Sequence, residues 1–378
     1  MRKVMVAYGT RPEAIKMAPV VLALAESRHL EPVVVVTGQH RQMLDQVNGL
    51  FGIRPARDLD VIRPRQELHE VTQRVLAGMT EVLRAERPDA VLVQGDTTTT
   101  MVAALAAFYE KVPVVHLEAG LRTHDRYNPF PEEINRRLTS QLASLHLAPT
   151  SVSRDNLLRD GLDPSDVVVT GNTVIDALLD VVARELPLED PALAVLDGRP
   201  AVLVTSHRRE SWGEPMARTA SAVARLAKEF PETVFLLPAH LNPTVREVLL
   251  PPLEGLANVV VTDPLSYSDF ARAMAASSVL LTDSGGVQEE APSLGKPVLV
   301  LRDNTERPEA VTAGTVRLVG TDERLVVESV SELLTDPAAY DAMARAVNPY
   351  GDGRAAPRCI AALEHFFGVG ERLPEFAP

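Results

Sequence analysis

The chain has 378 residues, 46% of them apolar, enough for two hydrophobic cores of ordinary size and hence two domains. A net charge of -13 and an isoelectric point near 5.2 exclude a surface built to condense on nucleic acid or anionic lipid, so a polyanionic ligand would need a local basic site. Cys359 is the only cysteine, which excludes a disulfide framework and a cysteine metal cluster, and the lack of a membrane-length apolar run or a signal-peptide start points to the cytoplasm.

Short apolar runs alternate with longer helical patterns along the first half: VMVA from Val4, VVVVT from Val33, AVLVQ from Ala90, VPVVHL from Val112 and VVVT from Val167. A helix starting at Pro131 is expected to bury Ile134, Leu138, Leu142 and Leu145, with Glu132, Asn135 and Arg136 opposite. Residues 182–200 carry three prolines and read as a linker or a peripheral helix. The second half repeats the rhythm with AVLVT from Ala201, VFLLP from Val234, VVVT from Val259, SVLLT from Ser278 and PVLVL from Pro297. NPYGDG at 348–353 is a turn, followed by a short helix through Ile360, Leu363 and Phe367. Runs without polar alternation suit strands buried on both faces, so the fold class is α/β: two doubly wound, Rossmann-like units facing a cleft.

Ligands of such sheets sit beyond the carboxyl ends of the strands. The residues there are polar: Gly9-Thr10-Arg11, Gly95-Asp96, Glu118, Ser206-His207-Arg208, His240 and Asp283-Ser284-Gly285-Gly286. The last group opens a helix and either cradles a phosphate on backbone N–H groups or makes a tight turn, and Glu290 one turn on could bind a ribose diol or simply face solvent. His207 with its arginines suits phosphate oxygens or forms a surface ion-pair cluster. Arg11 and Lys16 flank the first helix start. Asp96 and Glu118 end consecutive strands, and Glu132 lies in a helix's first turn, where a carboxylate serves either chemistry or the helix dipole. None of the nine histidines has metal-ligand spacing, and Gly351-Asp352-Gly353 follows Asn-Pro-Tyr instead of a strand, so neither a metal nor a dinucleotide cofactor is expected.

The segments GTRPEAIKMAP (9–19), GDTTTT (95–100), EAGLRT (118–123), PFPEEINR (129–136), GNTVIDAL (171–178), HRRES (207–211), DSGGVQEEAPSLGKPVLVLRD (283–303), TERPEAVTAGT (305–315) and NPYGDG (348–353) together resemble those of bacterial non-hydrolysing UDP-N-acetylglucosamine 2-epimerases. The resemblance runs from about residue 4 to residue 365 and departs from the usual pattern at Ser206, Asn128 and Asn304. It implies the glycosyltransferase-B arrangement: an amino-terminal domain over 1–175 with the acid–base residues, a UDP-binding domain over 176–353, and a final helical segment, 354–378, returning to the first domain. It also implies that Asp96, Glu118, Glu132 and His207 are catalytic, that Arg11, Lys16, Phe270, Ser284, Gly285, Gly286 and Glu290 bind UDP, and that Gln39, Gln42, Arg65, Glu132, Arg208 and His240 bind a second UDP-N-acetylglucosamine as activator. A homodimer serving envelope polysaccharide synthesis is the implied setting.

Inverting C2 of such a sugar can proceed by transient oxidation at C3, which needs a dinucleotide, or by loss of the C2 proton with expulsion of UDP and re-addition through a glycal. The second route is the expectation here. A UDP-sugar-dependent glycosyltransferase of the same fold, a hydrolysing epimerase and a non-catalytic UDP-sugar sensor are the alternatives.

Overall fold

In the computed structural model, residues 1–378 are described except 39–40, 62, 64–65, 209–210 and 306, and except the side chains of 41 and 42. The activator-site expectations at Gln39, Gln42 and Arg65 therefore lie outside the described residues or side chains.

The apolar runs become strands of two parallel sheets, inner ones except for the VVVT runs from Val167 and Val259, which form edges. The first half contains β1 (Arg2–Tyr8), α1 (Arg11–Glu26), β2 (Leu30–Val36), α2 (Arg41–Leu50), β3 (Arg57–Asp58), α3 (Leu68–Glu86), β4 (Ala90–Gln94), α4 (Thr98–Tyr109), β5 (Val114–Leu117), α5 (Glu132–Leu142), β6 (Leu145–Ala148), α6 (Ser151–Arg159), β7 (Val167–Val169) and α7 (Thr173–Ala183). These strands lie in the order β3-β2-β1-β4-β5-β6-β7, all parallel. Val4 to Ala7 and Ala90 to Val93 have no solvent exposure, as central strands covered on both faces require.

The second half runs β8 (Ala201–Thr205), α8 (Glu214–Glu229), β9 (Val234–Pro238), α9 (Pro243–Leu249), β10 (Val259–Thr262), α10 (Tyr267–Ala276), β11 (Val279–Thr282), α11 (Gly285–Glu290), β12 (Val298–Val300), α12 (Pro308–Ala313), β13 (Val316–Leu318), α13 (Glu323–Thr335) and α14 (Pro337–Ala344). Its sheet order is β10-β9-β8-β11-β12-β13, also parallel, over a core that includes Val202, Phe235, Leu281, Leu299 and Val326. Between the halves, residues 191–196 form a 3-10 turn, and α15 (Ala355–Phe366) closes the chain.

The chain divides into two units, Met1–Ala177 with Tyr350–Pro378, and Leu178–Pro349. Within the first unit α15 packs on α1. Asp176 accepts the N–H groups of Ala355 at 3.1 Å and Ala356 at 2.8 Å, tying α7 to the start of α15. The tail beyond α15 meets the end of the edge strand β7: the N–H of Phe376 donates to Val169 O at 2.9 Å and Glu375 accepts the Val169 N–H at 3.3 Å. Among the described residues no helix is long and apolar enough to cross a membrane.

Helix α5 differs from the expectation. It ends at Leu142, Leu145 opens β6, and Leu138 is 47% exposed. The buried side is polar instead, formed by Glu133, Asn135, Arg136, Thr139 and Ser140: the first three meet partners in the site described next, and the hydroxyls of Thr139 and Ser140 donate to carbonyls of their own helix. The short strands β3 and β13 carry too few apolar residues to stand out in the sequence.

Candidate functional site

In each sheet the strand order reverses once, between β1 and β4 in the first unit and between β8 and β11 in the second. Helices leave such neighbouring strands toward opposite faces, and the crevice between them is where an α/β sheet presents ligands. The expected site residues after β1, β4, β8 and β11 lie at these two reversals.

In the first unit Glu118 follows β5 with φ of 60°, a left-handed conformation that non-glycine residues seldom hold. Its buried carboxylate is fixed from three directions. Lys16 of α1 lies 2.5 Å from Oε1, Asn172 Nδ2 donates to the same oxygen at 3.1 Å, and Gln94 Nε2 donates to Oε2. Asp96, one strand away, pairs through Oδ2 with Arg136 Nη2 at 2.5 Å. Burial pushes the Asp96 carboxyl above the usual range; Arg136 pulls the other way, and the Glu118 charge adds to the rise.

The backbone beside Asp96 is held as tightly as its side chain. Asn135 donates to the Asp96 carbonyl at 3.0 Å, and His116 Nε2 lies 2.7 Å from the Gly95 carbonyl. Because that partner can only accept, Nε2 carries the proton, and burial depresses His116 to a pKa of about 3, so the ring is neutral. Glu132, the first residue of α5, makes no hydrogen bond or ion pair with Asp96 or Glu118 among the described residues. Its neighbour Glu133 does the structural work of the turn, accepting from Thr123 N at 3.0 Å and pairing with Arg137 at 3.0 Å and Arg136 at 3.4 Å.

In the second unit Asp283, named in the sequence only as part of its motif, has a role of its own. It is fully buried, and its Oδ2 accepts the N–H groups of His207 at 2.8 Å and Arg208 at 2.9 Å, joining the loop after β8 to the loop after β11. Its Oδ1 lies 3.3 Å from His207 Nδ1. Burial lowers the His207 pKa, and Asp283 opposes the fall. The exposed ring of His240 stacks on His207, with centroids 6.2 Å apart, so His207, Arg208 and His240 form one cluster.

Ser284 is the N-cap of α11, and its side chain makes no capping bond. Gly285 and Gly286 are the first two residues of that helix, not a positive-φ turn, and their N–H groups have no intrahelical acceptor. Gly285 lies close to Arg307: a Cβ there would sit 2.6 Å from Arg307 Nη1 and would have to displace a guanidinium that pairs with buried Glu289 at 2.5 Å. Glu290 is buried and accepts from the Tyr267 hydroxyl at 3.1 Å. Phe270 lies three residues beyond Tyr267 on α10, so both share one helix face. Arg11 is the first residue of α1.

A family model described as UDP-N-acetylglucosamine 2-epimerase matches residues 22–364. The UDP-N-acetylglucosamine 2-epimerase of Escherichia coli K12 is 52% identical over 376 residues, covering 96% of this chain and 98% of its own. The crystal structure of the Neisseria meningitidis UDP-GlcNAc 2-epimerase bound to UDP-GlcNAc matches with a TM-score of 0.87 at 48% identity, covering 96% of this chain and 100% of that one. The glycosyltransferase SnogD from Streptomyces nogalater shares the fold alone, with a TM-score of 0.62 at 17% identity over 98% of this chain and 99% of its own. Two reversal points lined by carboxylates, basic groups and a glycine-opened helix accompany a family match over most of the chain, and the chain belongs to the UDP-N-acetylglucosamine 2-epimerase family.

Proposed function

We propose that the chain inverts C2 of UDP-N-acetylglucosamine reversibly, giving UDP-N-acetylmannosamine without hydrolysis. A carboxylate removes the C2 proton while the C1–O bond to UDP breaks, leaving 2-acetamidoglucal and UDP. A proton then returns to C2 from the other face as the UDP oxygen re-forms the bond to C1. The observation that carries this reading is the pair Asp96 and Glu118, on adjacent strand ends, each against a cation and in different surroundings. Differently placed carboxyl groups are what proton removal and proton return require. Glu132 completes the acid–base group.

In this reading the departing diphosphate is stabilised by the N–H groups opening α11 with Ser284, and by His207, Arg11 and Lys16. Glu290 takes the ribose hydroxyls, with Phe270 beside the uracil. His207, held by Asp283, then faces charge that grows as the C1–O bond breaks. A second UDP-N-acetylglucosamine acts as activator through Gln39, Gln42, Arg65, Glu132, Arg208 and His240. We further infer a cytoplasmic homodimer that supplies envelope polysaccharide synthesis.

Proton and phosphorus NMR of UDP-N-acetylglucosamine with the purified protein in deuterated water tests the reading. UDP-N-acetylmannosamine carrying deuterium at C2 is the expected product. Binding without any product unless a sugar acceptor is added would replace the epimerase reading with a transferase.

A further inference from the structure

Thr97 and Thr100 of GDTTTT and Glu13, the acid of GTRPEA, have no part in the chemistry above, yet they meet at the reversal point of the first sheet. Glu13 is 1% exposed. Its Oε2 accepts the N–H groups of Gly9 at 3.0 Å and Thr10 at 2.7 Å, which completes a capping box at the start of α1. A capping box needs nothing more. Oε1, however, reaches to the neighbouring loop and accepts from Thr97 Oγ1 at 2.7 Å and lies 3.0 Å from Thr100 Oγ1. Thr97 is the residue after Asp96 and also the N-cap of α4, where its hydroxyl receives the Thr100 N–H at 3.1 Å.

One buried carboxylate therefore joins the loop after β1 to the loop after β4, at the place where α1 and α4 diverge. The seam is tight: a Cβ on Gly9 would lie 2.1 Å from Thr37 Oγ1 and 2.9 Å from Thr99 Oγ1. The peptide around Asp96 is held by His116 and Asn135 from the β5 and α5 side, and by Glu13, through Thr97, from the β1 side. Of these three, Glu13 alone also holds Gly9 and Thr10, next to Arg11.

We propose that Glu13 is a positioning residue, a buried staple across the sheet reversal that fixes where the Asp96 carboxylate points. The inference rests on the reading of Asp96 as a proton-handling group. It makes a distinctive demand on substitution. Thr100 has one hydroxyl proton and three acceptors in reach, Glu13 Oε1, the Gln94 carbonyl at 2.6 Å and Thr97 Oγ1 at 3.1 Å. A glutamine at 13 could keep its oxygen on the two backbone N–H groups and donate its amide to the threonine oxygens, while Thr100 donates to Gln94. Hydrogen-bond geometry, not charge, is then the requirement.

The test compares Glu13→Ala, Glu13→Gln, Thr100→Val and Asp96→Asn by steady-state epimerisation and by deuterium incorporation at C2, with thermal unfolding as the folding control. Misplacing a reacting group by about 1 Å costs up to about a hundredfold. Glu13→Ala is expected to lower kcat at least about tenfold with KM within about threefold, and Glu13→Gln to stay within about threefold of the parent. Thr100→Val, which leaves the cap of α1 intact, is expected to lower kcat at least about threefold and decides the matter if Glu13→Ala does not fold. A folded Glu13→Ala with parental kcat, or an unaffected Thr100→Val, overturns the staple, as does a Glu13→Gln as poor as Glu13→Ala. Parental turnover in Asp96→Asn overturns the reading of Asp96 instead, so the two failures are separable.

Discussion

Removing the Lys16 ammonium by Lys16→Met strands a carboxylate whose side chain is 6% exposed. At the dielectric suited to a partly buried pair, opposite charges about 4 Å apart attract by about 4 kcal/mol, and breaking one side of a buried pair typically costs about 3–5 kcal/mol. Gln94 and Asn172 still donate to Glu118, which puts the expected loss at the low end, about 3 kcal/mol. For a unit of this size that lowers the melting temperature by about 6–12 °C. Glu118→Gln alone should cost less, because the Lys16 side chain is 16% exposed and can turn toward water.

The double variant Lys16→Met/Glu118→Gln has no stranded charge and should regain most of the stability, a coupling of about 2–3 kcal/mol. Turnover should not return with it, since the proposed proton-transfer group is gone. Calorimetry and the C2 deuterium assay on all four proteins measure both. Additive stability losses, with coupling below about 0.5 kcal/mol, would refute the argument that the pair is a coupled buried unit. Restored turnover in the double variant would remove Glu118 from the chemistry.

Asp96→Asn should lose at least about two orders of magnitude in turnover, the scale of general acid–base catalysis, while calorimetric UDP binding stays within a few-fold; turnover near the parent's would contradict its role. Asp283→Ala should free the loop carrying His207 and Arg208 and weaken UDP binding at least about tenfold by calorimetry, two buried N–H groups having lost their acceptor; unchanged affinity would mean that the loop needs no anchor. Asp176 gives a pH prediction. Burial lifts its pKa from 3.8 to about 6, against the N–H groups of Ala356 and Ala355. The folded state thus binds the proton more tightly, and the stability this contributes is full below about pH 4 and lost as pH rises through about 6, in all about 3 kcal/mol. Asp176→Asn lacks that loss, so its stability relative to the parent should improve by roughly that amount between pH 4 and pH 7.5 in urea titrations; parallel profiles would contradict it.

The sheets were legible because runs such as AVLVQ and VFLLP are apolar at every position but the last. The polar residues after them marked the reversal points for the same reason: a chain emerging from a covered sheet meets the ligand crevice there. Helix α5 was misread because Ile134, Leu138, Leu142 and Leu145 keep helical spacing, yet the site beside it demanded that Asn135 and Arg136 face inward to Asp96. Asp283 was visible within its motif, but nothing local reveals that its acceptor serves residues 75 and 76 positions earlier. Glu13 is likewise a capping-box residue by sequence, and its partners Thr97 and Thr100 are 84 and 87 positions away.

The central claim is that the C1–O bond to UDP breaks and re-forms while C2 exchanges its proton. Positional isotope exchange measures it most directly: UDP-N-acetylglucosamine with oxygen-18 in the bridge between C1 and the β-phosphorus is incubated with the protein in deuterated water. Elimination frees the β-phosphate to rotate, so the label should move into non-bridging positions at a rate comparable to deuterium entry at C2. Deuterium at C2 with the label still wholly in the bridge would contradict the account.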